Sequence, residues 1–313
     1  MVKVAIAGGT GAVGRALAET LAQQEVHEAI ILSRRESSND TAVLPTVQAN
    51  YDDLDSLTKV LAEHKVHTVI CAFAITGTSL KKSQMNLIKA SAAASSVARF
   101  IPTSFSIDYP RDGVDILPPL QDYFDCLDEL AKAELEWSVV LNGIFLDYFS
   151  APPIKSYLAP NAFVIAIANN AAAIPGTGDE MVTFTHTFDV ARFLVAALDL
   201  DKWPKELRIS GDEMTFKDFV KLAEEFKGTK FTVYYDSMDK LKKFEITELP
   251  QHESLYPRFP KQRFQWFQSI FEQWTVAGLA HIQREGSLNQ TFSDLKPLNI
   301  RDMLEQCWKK SLE

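Results

Sequence analysis

A doubly wound α/β fold, with helices on both faces of a parallel sheet and a smaller mixed α/β region capping it, is the architecture this sequence predicts. Three observations predict it. Apolar, strand-length runs alternate with helical patterns over the first 141 residues, a glycine-spaced turn joins the first run to the first helix, and the alternation breaks down past Asn142. Residues 2–7 read as the first strand, 15–21 as a helix, 28–32 as a second buried strand and 47–50 as a third. A helix follows over 53–63, capped by Asp52 or Asp53, because a short carboxylate there satisfies unpaired N–H groups of the first turn. Residues 67–73 form the fourth strand, 83–95 an alanine-rich helix and 99–103 the fifth strand. The stretch 108–119, with its prolines and glycine, is a loop leading to a helix over 123–134 and a sixth strand over 138–141.

Past Asn142 the signals change. Ser150-Ala151-Pro152-Pro153 breaks regular structure, and Ile174-Pro175-Gly176-Thr177-Gly178-Asp179 is a turn between two extended stretches. A helix returns over 187–200, then a strand over 207–209, a helix over 216–226, a strand over 231–235 and helices beyond Pro260. The expected division is a dinucleotide-binding domain over 1–149, to which 183–200 returns, and a substrate-capping region from 150–182 and 201–313. Ligands of doubly wound sheets sit at the carboxyl ends of the strands, so the substrate cleft is expected between sheet and cap.

The glycine turn carries the first functional expectation. Gly8-Gly9-Thr10-Gly11-Ala12-Val13-Gly14 stands between strand and helix, where the helix's unpaired N–H groups and positive dipole end face an anion. Gly8 permits the tight turn, Gly11 lets a pyrophosphate approach the backbone, and Gly14 lets the helix pack on the sheet. This is the dinucleotide cradle of a Rossmann-type sheet. At the end of the second strand, where an NAD site places a carboxylate, the chain has Ser33-Arg34-Arg35. Two guanidiniums offer forked donors to a 2′-phosphate, so the cofactor expected is NADP(H).

Composition narrows the class. The 313 residues are 46% hydrophobic, enough for a large core, and the formal charge of −9 disfavours a nucleic-acid surface. Cys71, Cys126 and Cys307 are odd in number and widely spaced, which points to reduced thiols and no metal framework. His64 and His67 lack further ligand partners, so no metal is expected. The chain opens on a strand instead of a signal peptide, and no apolar run is long enough for a bilayer. The expectation is a cytoplasmic protein with no membrane partner.

The motifs Gly8 to Gly14, Arg99-Phe100-Ile101-Pro102-Thr103-Ser104-Phe105 and Asn142-Gly143-Ile144-Phe145-Leu146-Asp147-Tyr148 together resemble the NmrA-like and isoflavone-reductase-like branch of the atypical short-chain dehydrogenases. The similarity continues through Gly211-Asp212-Glu213-Met214-Thr215 and Glu248-Leu249-Pro250, so it covers essentially the whole chain. It is strongest in character to the fungal biosynthetic members, which implies secondary metabolism. The resemblance implies that Gly8, Thr10, Gly11, Ala12, Val13 and Gly14 hold the pyrophosphate and that Arg34 and Arg35, with Ser33, hold the 2′-phosphate. It puts Ala72, Phe73 and Ala74 on the adenosine and ribose side. Thr103, Ser104, Phe105, Asn142 and Gly143 would surround the nicotinamide, and Phe105, Phe145 and Tyr148 the substrate.

One departure stands out. Reductases of this family carry a lysine where Tyr123-Phe124-Asp125-Cys126-Leu127 places Leu127, and leucine can neither donate a proton nor orient a ribose hydroxyl. None of the eight tyrosines is followed four residues later by lysine, so the Tyr-x-x-x-Lys pair of ordinary short-chain dehydrogenases is also missing. The candidate substitutes are Tyr123, Asp125 and His186, the last able to act as acid or base near neutral pH. Lys132 is expected on another face of the helix, and nothing in the sequence places Lys155. Phe264, Phe267, Phe271 and Trp274 recur at helical spacing, as core or as the wall of a cleft for a hydrophobic small molecule. Three functions are compatible: an NADPH-dependent reductase with an atypical proton donor; an NADP(H)-assisted cyclisation, condensation or isomerisation; and a non-catalytic NADP(H) sensor that binds a regulatory protein.

Overall fold

Strand β1 (Lys3–Ala7) is fully buried from Val4 onward because parallel sheet neighbours flank it and helices cover both its faces. The structure, a computed structural model, describes residues 1–35, 43–75, 77–159 and 161–309. After β1 come α1 (Ala12–Ala22), β2 (Glu28–Ser33), β3 (Thr46–Gln48), α2 (Leu54–Glu63), β4 (Thr68–Cys71), α3 (Met85–Ala93), β5 (Arg99–Ile101), α4 (Leu120–Leu130) and β6 (Glu136–Trp137). The six strands form one parallel sheet in the order β3-β2-β1-β4-β5-β6. This is the doubly wound arrangement expected, and the alternation of side chains explains it. Val4 and Ile6 of β1, with Ala29 and Ile31 of β2, pack on one face with Leu17 and Leu21 of α1. Ala5, Ala7, Ile30 and Leu32 pack on the other with Leu57 and Leu61 of α2 and Leu87 of α3. Truncating a leucine as buried as Leu17 costs about 2–5 kcal/mol. Asp53 caps α2 by accepting a hydrogen bond from the Ser56 N–H at 3.0 Å.

Several boundaries differ from expectation by a few residues, and two of these differences bear on the site. Helix α4 spans 120–130 instead of 123–134: Pro119 stands at its N-cap, and the chain turns after Leu130, leaving Lys132 outside the helix and exposed. The sixth strand begins earlier and divides at Ser138, so that β6 pairs with β5 while β7 (Val139–Leu141) turns its hydrogen bonds to the opposite side.

The rest of the chain supplies β8 (Ile144–Phe145), β9 (Ile165–Ala166), β10 (Ala171–Pro175), β11 (Met181–Thr185), α5 (Thr187–Ala197), β12 (Glu206–Arg208), β13 (Asp212–Thr215), α6 (Phe216–Lys227), β14 (Thr232–Asp236), α7 (Met238–Leu241), α8 (Lys261–Val276), α9 (Leu288–Thr291) and α10 (Ile300–Trp308). Helix α5 returns to the sheet, placing Val190, Phe193 and Leu194 in the cluster that α1 shares. Strand β12 pairs in parallel with β7 in a two-stranded sheet of its own. Two three-stranded sheets, β14-β10-β9 and β13-β11-β8, support the cap. Its core joins Phe149, Phe184, Phe216, Phe219, Trp274 and Met303 to Tyr123 and Phe124 of α4. Among the described residues, no helix is long and apolar enough to cross a membrane.

Candidate functional site

All six strands run the same way, so the segments that leave β1, β2, β4 and β5 meet at one end of the sheet. An open cleft of about 1140 Å³ lies there, lined by Gly8, Gly9, Thr10 and Gly11, by Ser33, Arg34 and Arg35, and by Ala72, Phe73 and Ala74. Gly8 has φ +83°, and a Cβ on it would sit 2.5 Å from the Ala72 carbonyl oxygen. A Cβ on Gly14 would sit 2.2 Å from the Gly8 carbonyl oxygen, so the helix meets the turn there with no room for a side chain. Gly11 differs: its φ of −80° suits any residue, and its role is the space it leaves over the turn. It is the N-cap of α1 and offers no side-chain cap, which leaves the first N–H groups and the positive dipole end facing the cleft. These features fit a dinucleotide pyrophosphate, and the exposed Arg34 and Arg35 fit a phosphate on its adenosine ribose.

Ala12, Val13 and Gly14 begin α1 behind the cradle. Thr103 and Ser104 are buried and join strand ends. Thr103 Oγ1 accepts from the Phe73 N–H at 3.0 Å and donates to the Cys71 carbonyl at 3.2 Å, while Ser104 Oγ accepts from the Val140 N–H at 2.8 Å. Phe105 is buried at φ +44°, a conformation rare outside glycine that marks this turn as held by its surroundings. Asn142 is fully buried just past β7, and its Oδ1 has no hydrogen-bond partner among the described residues. Gly143 follows it with a positive φ against the Thr183 carbonyl. Phe145 packs edge-on to Tyr148, whose phenol burial pushes up to about 12.

The three proton-transfer candidates do not come together. Tyr123 is buried in α4, its ring 5.4 Å from that of Tyr109 at an interplanar angle of 82°. Burial raises its phenol well above the ordinary range, with Tyr109 and Asp108 adding to the rise, so it is protonated at neutral pH. Burial raises Tyr109 likewise, and the Ser106 side chain offsets part of the rise. The Ser106 carbonyl accepts the N–H groups of Asn142 and Gly143 at 2.9 and 3.2 Å. Tyr109 and Ser106 thus connect Tyr123 to the segments leaving β5 and β7. Asp125 faces solvent on the same helix and takes a hydrogen bond from Gln121. Leu127 packs among apolar side chains on both sides of α4. His186 is the buried N-cap of α5. Its Nε2 lies 3.1 Å from the Lys155 carbonyl oxygen and 3.4 Å from Asp147 Oδ1, and its ring stacks on Phe188. Asp147 in turn accepts the Thr187 N–H at 2.8 Å.

The C-terminal aromatic series divides between two places. Phe264 belongs to a small core with Leu241 and Ile246. Phe271 and Trp274 pack on Tyr109, at centroid distances of 6.2 and 5.8 Å, and Phe267 leads out from Phe271 to the surface. The cleft also has members that sequence reasoning missed: Arg15, Glu19, Tyr51, Thr78 and Tyr157 among them. Arg15 stands four residues after Gly11, one helical turn on, and that spacing was a usable signal. Tyr157 lies where no periodicity places the chain. Among the described residues no cluster of three or more metal-ligating side chains occurs.

The model of the NmrA-like family matches residues 2–289. The chain is 34% identical to oxidoreductase BOA1 of Botryotinia fuckeliana over 95% of this chain and 96% of that one. It is 29% identical to oxidoreductase swnN of Metarhizium robertsii, over 98% of each. Among solved structures, the leucoanthocyanidin reductase–NADPH complex from Vitis vinifera superposes with a TM-score of 0.73 at 16% identity, over 97% of this chain and 98% of that one. AtPrR2 with NADP+ and (+)pinoresinol gives 0.73 at 18% identity, over 97% and 98%. These two likenesses establish a shared fold.

Proposed function

The chain belongs to the NmrA-like family, and on that premise we propose that it is an NADPH-dependent reductase of a hydrophobic small molecule in secondary metabolism. The observation that carries this reading is the continuous cleft from the Gly8–Gly11 turn to Arg34 and Arg35, with no carboxylate at the end of β2. The names of the full-length relatives, both oxidoreductases, support it. So do the NADPH and NADP+ complexes among the fold neighbours.

Bound NADPH supplies the hydride. The chain's residues hold it and manage the proton. The N–H groups opening α1 would receive the pyrophosphate, and Arg34 and Arg35 would receive the 2′-phosphate. Reduction of a carbonyl needs a donor for the oxygen that gains charge. Tyr123 is assigned that role, in place of the family's lysine, as a hydrogen-bond donor: burial keeps its phenol neutral, so it would stabilise this oxygen as charge develops on it. Tyr109, Phe271 and Trp274, packed beside it, favour an apolar substrate with aromatic or fused-ring character.

The test is isotopic. NADPH deuterated at C4 is incubated with the protein and a panel of hydrophobic ketones and enones, and products are analysed for deuterium. Transfer to carbon supports the reductase. Conversion of a panel member with no deuterium in the product and no cofactor consumed would establish the non-redox chemistry instead.

A further inference from the structure

Residues 155–157 cross from the start of α5 to the side of α1 that borders the cofactor cleft. At the α5 side they are anchored by the Lys155 carbonyl against His186, by Ser156 Oγ, which donates to Asp147 Oδ1 at 2.6 Å, and by the Tyr157 ring, 5.9 Å from Phe188. At the α1 side Tyr157 donates its phenolic hydrogen to Glu19 Oε2 at 2.6 Å, Lys155 forms an ion pair with the same carboxylate, and the Arg15 guanidinium lies 4.1 Å from the centroid of the Tyr157 ring. Arg15, Glu19 and Tyr157 line the same cleft as the glycine turn.

The charges explain why an acidic side chain stands in an anion-binding cleft. Glu19 is neutralised by Lys155 and satisfied by Tyr157, and those two hydrogen bonds hold its carboxyl below the usual range. Arg15 has no ion-pair partner among the described residues. Its guanidinium lies over the face of the Tyr157 ring, which attracts the cation without consuming its N–H donors.

Resting on the cofactor reading above, we propose that residues 155–157 are a strap that retains the cofactor: Tyr157, latched to Glu19, roofs the phosphate end of the cleft and steadies Arg15 as a cation for the pyrophosphate. Cofactor exchange then proceeds through an open state in which the Tyr157–Glu19 hydrogen bond is broken. Tyr157, Glu19 and Arg15 are positioning residues.

Stopped-flow NADPH fluorescence on the full chain tests this without turnover. Tyr157→Phe keeps the ring and removes the latch, so NADPH association and dissociation both accelerate by about tenfold while affinity changes less than about twofold. Glu19→Gln keeps the shape, weakens the same hydrogen bond and shifts both rates the same way. Arg15→Met raises dissociation without raising association, so its affinity falls. Normal binding by the wild type with unchanged exchange rates in both Tyr157→Phe and Glu19→Gln overturns the strap alone. Absence of NADPH binding in the wild type overturns the cofactor reading and the strap with it.

Discussion

His186 Nε2 lies 3.1 Å from the carbonyl oxygen of Lys155, so the residue that opens α5 is spent on holding the backbone that crosses the cofactor cleft. Both of its neighbours are structural: Phe188 stacks on its ring and Asp147 receives the first N–H of the helix. His186→Ala should therefore lower stability by about 1–3 kcal/mol, the cost of an orphaned buried polar contact. Turnover at saturating NADPH should remain within about tenfold of wild type. Thermal melts beside kcat measurements check both halves. A folded variant with wild-type melting and a hundredfold fall in kcat would restore His186 as an acid or base.

Tyr123 and Asp125 separate cleanly. Tyr123→Phe removes only the phenolic oxygen from a buried ring, so kcat should fall about a hundredfold or more while KM and NADPH affinity hold. Asp125→Asn alters an exposed carboxylate hydrogen-bonded to Gln121 and should leave both constants near wild type. Full activity in Tyr123→Phe removes this phenol as the donor.

Glu272 gives the protein a pH dependence. It is buried on α8, its Oε2 has no hydrogen-bond partner among the described residues, and burial followed by repulsion from Asp236 raises its carboxyl well above the ordinary value, with Lys240 opposing. The folded state thus holds a proton that the unfolded chain releases above about pH 4.3. That contribution is complete below the unfolded value and is lost as pH rises through the raised folded one. Glu272→Gln should leave the melting temperature unchanged near pH 4 and raise it at neutral and alkaline pH. Identical melting curves for wild type and variant from acid to alkaline pH would show that this carboxyl is not desolvated.

The sheet and the cradle were legible because local signals carry them. Glycines stand where a Cβ would meet backbone, as Gly8 and Gly14 show, and the buried stretch of a parallel strand is apolar without alternation, as in Val4 to Ala7 of β1. The ends of α4 were misjudged because helical periodicity says little about where a helix stops, and Pro119 rather than a polar cap begins it. The cleft's further members were harder for a different reason. Tyr157 reaches Glu19 across 138 positions, and Tyr109 reaches Phe271 and Trp274 from a loop, so neither pairing leaves a trace in spacing. His186 has the residue type of a catalyst, and only its partners, Lys155 and Asp147, reveal a scaffold contact.

The central claim, an NADPH site built on the glycine turn and the Arg34–Arg35 pair, is tested most directly by titrating wild type and the Arg34→Glu, Arg35→Glu double variant with NADPH and NADH. Wild type should bind NADPH at least about tenfold tighter than NADH, since each charge-assisted pair to the 2′-phosphate contributes more than about 1 kcal/mol. The double reversal should abolish that preference and leave NADH binding nearly intact. An NADPH affinity that stays within about twofold of wild type in the double variant would contradict it.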